Sequence, residues 1–356
     1  MATQRNYHDQ VIVDNNLKLR ELLKSLPAFC GEFFRGIEPT TSSRTRIAYG
    51  YDLSVFFNYL KSNNPKLKNV NIHDITLDVL DKVTATDIEE YLDYLKFYID
   101  SDGKEHTNKE CGIKRKLGCL RTLYKFFYKK EKISTNPASI VDMPKIHEKE
   151  IVRLDADEVG NLLDEVETGD KLTDNQKYFH EKTKIRDVAI LTLMLGTGIR
   201  VSECVGIDIG DVDFKNSGIK IRRKGGNETV VYFGREVEEA LLDYIEERKH
   251  IIAVTGHENA LFLSLQKKRM SVRSVEKLVK KYSSLITNLK KITPHKLRST
   301  YGTSLYKETG DIYLVADVLG HKDVNTTRKH YAAIEDERRR KARNAVKLRK
   351  EDNQTC

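Results

Sequence analysis

Thr293–Tyr331 reads TPHKLRSTYGTSLYKETGDIYLVADVLGHKDVNTTRKHY. His295 and Arg298 stand three residues apart, so on a helix they share one face and can address a single anion together. DIYLVADVLGHKDVNTTRKHYAAI then reads as two short helices around Gly320-His321, and Tyr331 follows a Thr-Thr pair. The stretch pairs a cluster of phosphate-binding side chains with a potential nucleophile, and the earlier chain has to supply their partners.

Working back from it, IRDVAILTLMLGTGIRVSECVGI predicts a buried helix carrying Val188, Leu191, Met194 and Leu195, broken at Gly196-Thr197-Gly198. A second helix opens with Arg200 and Glu203. The glycines permit a tight turn, which sets Arg200 at the mouth of a helix. Two alternating runs, GIKIRR and ETVVYF, are joined by KGGN. This is a hairpin signal that puts Lys224 at the tip, where a lysine taken alone is ordinarily just solvated. Helices are expected at 235–250, 271–287 and 294–308, with a short strand at NALFLS (259–264).

The front of the chain is helical in pattern. Residues 1–40 hold a short amphipathic segment with Leu17, Leu19, Leu22, Leu23 and Leu26 before Pro27. It is either a helix packing on the adjoining helical domain or a contact arm for a neighbouring subunit. Residues 41–138 read as an all-helical domain. A Ser/Thr cluster suited to capping precedes apolar residues at helical spacing, from Ile47 to Leu60. A second helix is expected over Thr86–Phe97. A third carries the stripe Ile113, Leu117, Leu120, Leu123, Tyr124 and Phe127, and its other face is basic. Such a face is either solvated or set against a DNA backbone. The candidate contacts are Arg44, Arg46, Lys114, Arg115, Lys116 and Arg121. Asn136-Pro137 stops the helix, and 139–152 reads as a linker. Residues 153–335 form a second, mixed α+β domain that opens with Asp155 as a cap, and 336–356 is a basic tail. The fold class is mainly α with a small antiparallel β-sheet.

A chain of 356 residues favours two domains. Its 62 basic against 53 acidic residues give a net charge of +9, which favours a polyanionic partner. Five unpaired-looking cysteines argue against a disulfide framework or zinc site and for a reducing cytosol. No signal peptide or apolar run of membrane length is present. The expected location is therefore the cytoplasm, with no membrane partner. Asp208, Asp211 and Asp213 are the best candidates for a metal-dependent nuclease. Lys215 falls where a calcium loop needs an oxygen ligand, and no acidic end-ligand follows. There is no Walker A lysine motif, so no ATPase is expected, and neither metal nor cofactor is called for.

An unperturbed tyrosine has a pKa of about 10, so near pH 7 only about one in a thousand is ionised. A Tyr331 that attacks a phosphodiester needs cations at its phenolate and around the phosphoryl oxygens. Two arginines and one or two histidines meet that need, because guanidinium forks match phosphate geometry. The leaving 5′ alkoxide needs a general acid, which a lysine on a hairpin can be. Glu203, three residues after Arg200, is placed to orient that arginine or a neighbouring base. A covalent phosphotyrosine keeps the energy of the broken bond, so strands can be rejoined without ATP.

The ordered set of Arg in TGIRVSE, Lys before Gly-Gly, H-x-x-R, LGH and Tyr resembles the tyrosine recombinase (phage integrase-like) family, across nearly the whole chain. Residues 41–135, with the closing Asn136-Pro137-Ala138, are similar to the family's core-binding domain, and about 153–335 to its catalytic domain. The resemblance implies that Arg200 and Arg298 clamp the scissile phosphate, Lys224 is the general acid and His295 assists proton transfer. It further implies that His321 binds the phosphate and that Tyr331 forms a 3′-phosphotyrosyl link. Members act as tetramers on two DNA sites, pass through a Holliday junction and grip DNA between their two domains, with a C-terminal segment packing on the neighbour. Tyr331 lies one residue further from His321 than in many members, and His330 holds the usual place. The short front extension makes the layout closest to Xer-like members. A type IB topoisomerase uses the same chemistry, and a non-enzymatic binder could use 311–334 as a helix-turn-helix; the LGHKDVNTT spacing and the small helical front domain favour a recombinase over the first, and the second leaves Arg200, Lys224 and H-x-x-R unused.

Overall fold

The computed structural model describes residues 6–100, 102–147, 152–223, 226–321 and 324. Lys224, Tyr331 and the tail 336–356 lie outside the described residues. The chain divides into two compact units, Met1–Lys149 and Glu150–Cys356.

The first unit is built from α1 (Tyr7–Leu23), α2 (Cys30–Ile37), α3 (Ser43–Asn63), α4 (Leu77–Lys82), α5 (Ala85–Tyr94) and α6 (Glu110–Lys129). Ser42 starts α3, its hydroxyl accepting from Thr45 N–H at 3.2 Å; such a cap contributes about 1 kcal/mol. All six residues of the α6 stripe are buried, together with Leu53, Phe56, Phe57 and Leu60 of α3. The segment before residue 41 shares this core through Leu19, Leu26, Cys30, Phe33, Phe34 and Ile37. It forms two helices, α1 and α2, with Pro27 in the break between them. A two-stranded antiparallel hairpin, β1 (Phe97–Ile99) with β2 (Glu105–Thr107), is added to the helices of this unit.

The basic face of α6 requires a correction. Lys116 is buried, and its ammonium bonds Asp52 of α3 at 3.3 Å. Arg115 also bonds Asp52, while Arg121 donates to the carbonyls of Ala138 (3.0 Å) and Val141 (2.5 Å). Arg46 is buried as well, held by the Glu38 and Thr41 carbonyls, each at 3.1 Å. A charged side chain taken out of water needs such partners, so the buried Arg46 and Lys116 act as internal ties, while Arg121 is half-buried. Of the six proposed DNA contacts, Arg44, Lys114 and Arg115 are exposed.

Where α6 gives way to the Asn136-Pro137 stop, Asp81 of α4 accepts from the backbone N–H groups and hydroxyls of Ser134 and Thr135 at 2.8–2.9 Å. The Ser134 backbone bond, with the other three, holds the Asp81 carboxyl down at about 2. The folded value lies below the ordinary value of about 4, so Asp81 adds stability that is present above about pH 4. That stability is lost as pH falls through about 2. Asp81→Asn should therefore lower the thermal midpoint at neutral pH, and the gap from the native chain should close across that acid window. A gap independent of pH would show that the Asp81 charge contributes nothing.

The second unit holds α7 (Ala156–Thr168), α8 (Asp174–His180), α9 (Lys184–Thr197), α10 (Val201–Cys204), β3 (Val212–Asp213), β4 (Gly218–Arg222) and β5 (Glu228–Tyr232), followed by α11 (Arg235–Lys249), α12 (Val272–Ile286), α13 (Pro294–Thr309) and α14 (Ile312–Leu319). Residues 189–195 of α9 are buried without a break. A helix apolar all round belongs at a core's centre, and α7, α11 and α13 pack around it. The strands form an antiparallel sheet in the order β3-β4-β5, with Ile219 opposite Val231 and Arg222 opposite Glu228. NALFLS is not a strand: Ala260 and Leu263 make isolated bridges to Asp208 and Arg269, and residues 260–263 are all buried. An apolar run of that length packs in a core without a strand neighbour, which its composition does not reveal.

Candidate active site

Helix α9 ends at Gly198 in the left-handed region, φ 63°. A side chain there would run into the ring of Tyr301 on α13, so glycine serves both the turn and the close approach. Two residues on, Arg200 is the N-cap of α10. Its backbone N–H donates to Glu203 Oε2 and its Nη1 to Glu203 Oε1, each at 2.8 Å. Glu203 is buried, so this carboxylate fixes both the backbone and the guanidinium of Arg200.

Helix α13 begins at Pro294, with His295 exposed on its first turn and Arg298 buried one turn later. Arg298 donates through Nη1 to the Gly198 carbonyl and through Nη2 to the Leu319 carbonyl. It thereby ties the end of α9 to the end of α14. Helix α14 closes on Gly320 (φ 60°), with His321 N–H donating to the Ala316 carbonyl at 2.9 Å and Gly320 N–H to Asp317 at 2.8 Å. That is the glycine-ended form of helix termination.

The C-terminal carbonyls of α14 gather the cations. Arg200 Nη2 donates to the Gly320 carbonyl at 3.3 Å and Arg298 to that of Leu319. Arg223, which follows β4, donates to Val318 at 2.9 Å and more weakly to Asp317 at 3.4 Å. Four consecutive carbonyls thus receive three arginines from three separate elements, directly before His321. The last carbonyls of a helix carry partial negative charge, which offsets the repulsion among guanidinium groups brought this close. Each guanidinium has five donors in a planar fork, so one edge can be fixed by the protein while another faces an anion.

The structure thus brings Arg200, Glu203, Arg298 and the Gly320-His321 turn together, and sets His295 at the start of the same helix as Arg298. Arg223 was missed by the sequence reading; its signal was the doubled arginine before Lys224, which reads as mere surface charge until α14 is seen beneath it. Asp208, Asp211 and Asp213 are engaged locally: Asp208 with Arg269, Asp211 with the Asp208 backbone, and Asp213 with Lys215 and Asn216.

A cation cluster organised on backbone carbonyls, in a helical unit with one small sheet, is suited to receiving a phosphate. Residues 152–338 match the model of the phage integrase family. The chain is 32% identical over 320 residues to the tyrosine recombinase XerC of Caldanaerobacter subterraneus subsp. tengcongensis, covering 87% of this chain and 83% of that one. It is 28% identical over 352 residues to the tyrosine recombinase XerS of Lactococcus lactis subsp. cremoris, covering 92% and 97%. Among solved structures, XerH site-specific recombinase bound to palindromic difH substrate shares the fold with a TM-score of 0.64 at 16% identity, covering 90% of this chain and 92% of that one. The Tn1549 transposon integrase in complex with circular intermediate DNA does so with a TM-score of 0.60 at 19% identity, covering 88% and 99%. The chain belongs to the phage integrase family: it is a tyrosine recombinase of the Xer type, a DNA-cleaving and rejoining enzyme of site-specific recombination. Among the described residues, no helix is long and apolar enough to cross a membrane.

Proposed function

We propose that Arg200 and Arg298 hold the scissile phosphate of a recombination site, and that Tyr331 attacks it. The Tyr331 oxygen bonds to phosphorus as the P–O5′ bond breaks. The phenolic proton passes to His295, and Lys224 delivers a proton to the departing O5′. His321 adds a donor to the non-bridging oxygens, and Glu203 positions Arg200. The product is a 3′-phosphotyrosyl enzyme and a free 5′ hydroxyl, which after exchange attacks the link and reseals the strand. Two such exchanges, made by a homotetramer on two double-stranded sites in the cytoplasm, run through a Holliday junction. The first unit contributes backbone contacts from Arg44, Lys114 and Arg115, and the basic tail 336–356 docks on a neighbouring subunit.

The observation that supports this most directly is the meeting of Arg200 and Arg298 on adjacent carbonyls immediately before His321. A suicide duplex, nicked so that the 5′ fragment diffuses away after cleavage, should trap a covalent protein–DNA adduct in chelator and without ATP. Adduct that forms only on addition of a divalent metal would overturn the mechanism.

A further inference from the structure

The side chain of Arg223 reaches from the hairpin to α14, and its backbone closes the hairpin. Its N–H donates to the Asn227 carbonyl at 2.8 Å, and its own carbonyl accepts from Gly226 N–H at 3.1 Å. Its guanidinium lies on the Val318 and Asp317 carbonyls, and its buried Nε has no acceptor among the described residues. A Cβ on Gly320 would fall on this guanidinium, so glycine before His321 makes the room in which Arg223 sits. One residue thus joins the closing bonds of the β4–β5 hairpin to the same helix end that holds Arg200 and Arg298. The residue after it in the chain is Lys224.

We infer that Arg223 is a positioning residue, which fixes the general-acid hairpin in register with the arginine clamp by docking on the α14 carbonyls. It touches neither substrate nor the reacting atoms in this role; it acts through Lys224, and so rests on the reading of Lys224 as the acid. Without the dock, the hairpin keeps its strand pairing but loses its fixed distance from the clamp. A displacement of about 1 Å at a reacting group can cost on the order of 100-fold in rate.

The test separates proton delivery from everything else. In a duplex with sulfur in place of the scissile 5′ oxygen, the P–S bond breaks to a thiolate. A thiol has a pKa of about 8.5, against roughly 15.7 for water, so the thiolate leaves without a general acid. Single-turnover cleavage by the full-length chain is measured on the oxygen and sulfur duplexes for the native protein, Arg223→Ala, Arg223→Lys and Lys224→Ala, alongside DNA affinity and thermal midpoint. Arg223→Ala should be about 10- to 100-fold slow on oxygen and close to native on sulfur. Lys224→Ala should lose more on oxygen and be relieved likewise. Arg223→Lys, which keeps a cation able to reach one carbonyl, should fall between native and alanine on oxygen. If Arg223→Ala is equally slow on both duplexes while Lys224→Ala is relieved, Arg223 supports the clamp or the fold and the inference is overturned. Should Lys224→Ala itself gain nothing from sulfur, the general-acid reading fails, and this inference falls with it. Should the alanine variant not fold, Arg223→Lys carries the same comparison.

Discussion

Tyr331→Phe is expected to abolish the covalent adduct on the suicide duplex while leaving DNA binding nearly intact. The phenolic oxygen is the atom that would bond to phosphorus, and phenylalanine keeps the ring without it. In binding, one hydroxyl offers a single hydrogen bond worth roughly 0.5–1.5 kcal/mol, so affinity should change by less than about tenfold. Adduct formation should drop to the background of a nuclease-free control. No other tyrosine lies between His321 and the C-terminus, so protease digestion of the native adduct should yield one phosphotyrosyl peptide, containing Tyr331. An adduct undiminished in Tyr331→Phe, or a linkage mapped to His330, would remove Tyr331 as the nucleophile. Because Tyr331 stands ten residues after His321 with His330 directly before it, the mapping also tests whether this spacing presents Tyr331 to the phosphate.

The second large effect is expected at Arg298. Its guanidinium bonds the Gly198 and Leu319 carbonyls from a site only 5% exposed. Arg298→Ala therefore removes the proposed phosphate donor and leaves two buried carbonyls to be satisfied again. Loss of a preorganised donor at a developing charge costs about 10²–10³ in rate. An unsatisfied buried acceptor costs about 1–3 kcal/mol. Arg298→Ala should thus lose adduct formation by at least about 10²-fold and melt at a lower temperature. Arg298→Lys keeps the charge but cannot span both carbonyls and a phosphate with a planar fork. It should bind DNA near the native affinity and still be strongly impaired in cleavage. Near-native single-turnover cleavage by both folded variants would show that the clamp does not include Arg298.

These effects differ in how far they are legible in the chain alone. The Tyr331, H-x-x-R and LGH signals lie close together along the chain, and local chemistry is enough to read them. The hairpin signal at KGGN, the glycine break before Arg200 and the long apolar helix 184–197 are equally legible, since turns and periodicity are written in neighbouring residues. Long-range contacts are not. Lys116 and Arg46 read as DNA contacts because a basic residue on a helix looks the same whether it meets water, phosphate or a buried carboxylate. Asp52, the partner that buries Lys116, lies 64 residues away.

The sequence by itself determined most helices of the second unit and its β4–β5 hairpin, but not α8, β3 or the bridged segment 260–263, together with the order of its chemical groups and the family to which the chain belongs. These follow from spacing within a few turns of chain, where backbone geometry leaves little choice. The tertiary structure decided which cations are ties and which are exposed, and that the end of α14 is where Arg200, Arg223 and Arg298 meet. The physical reason is that a helix's last carbonyls attract any cation within reach, and only the folded chain determines which arginines come within reach.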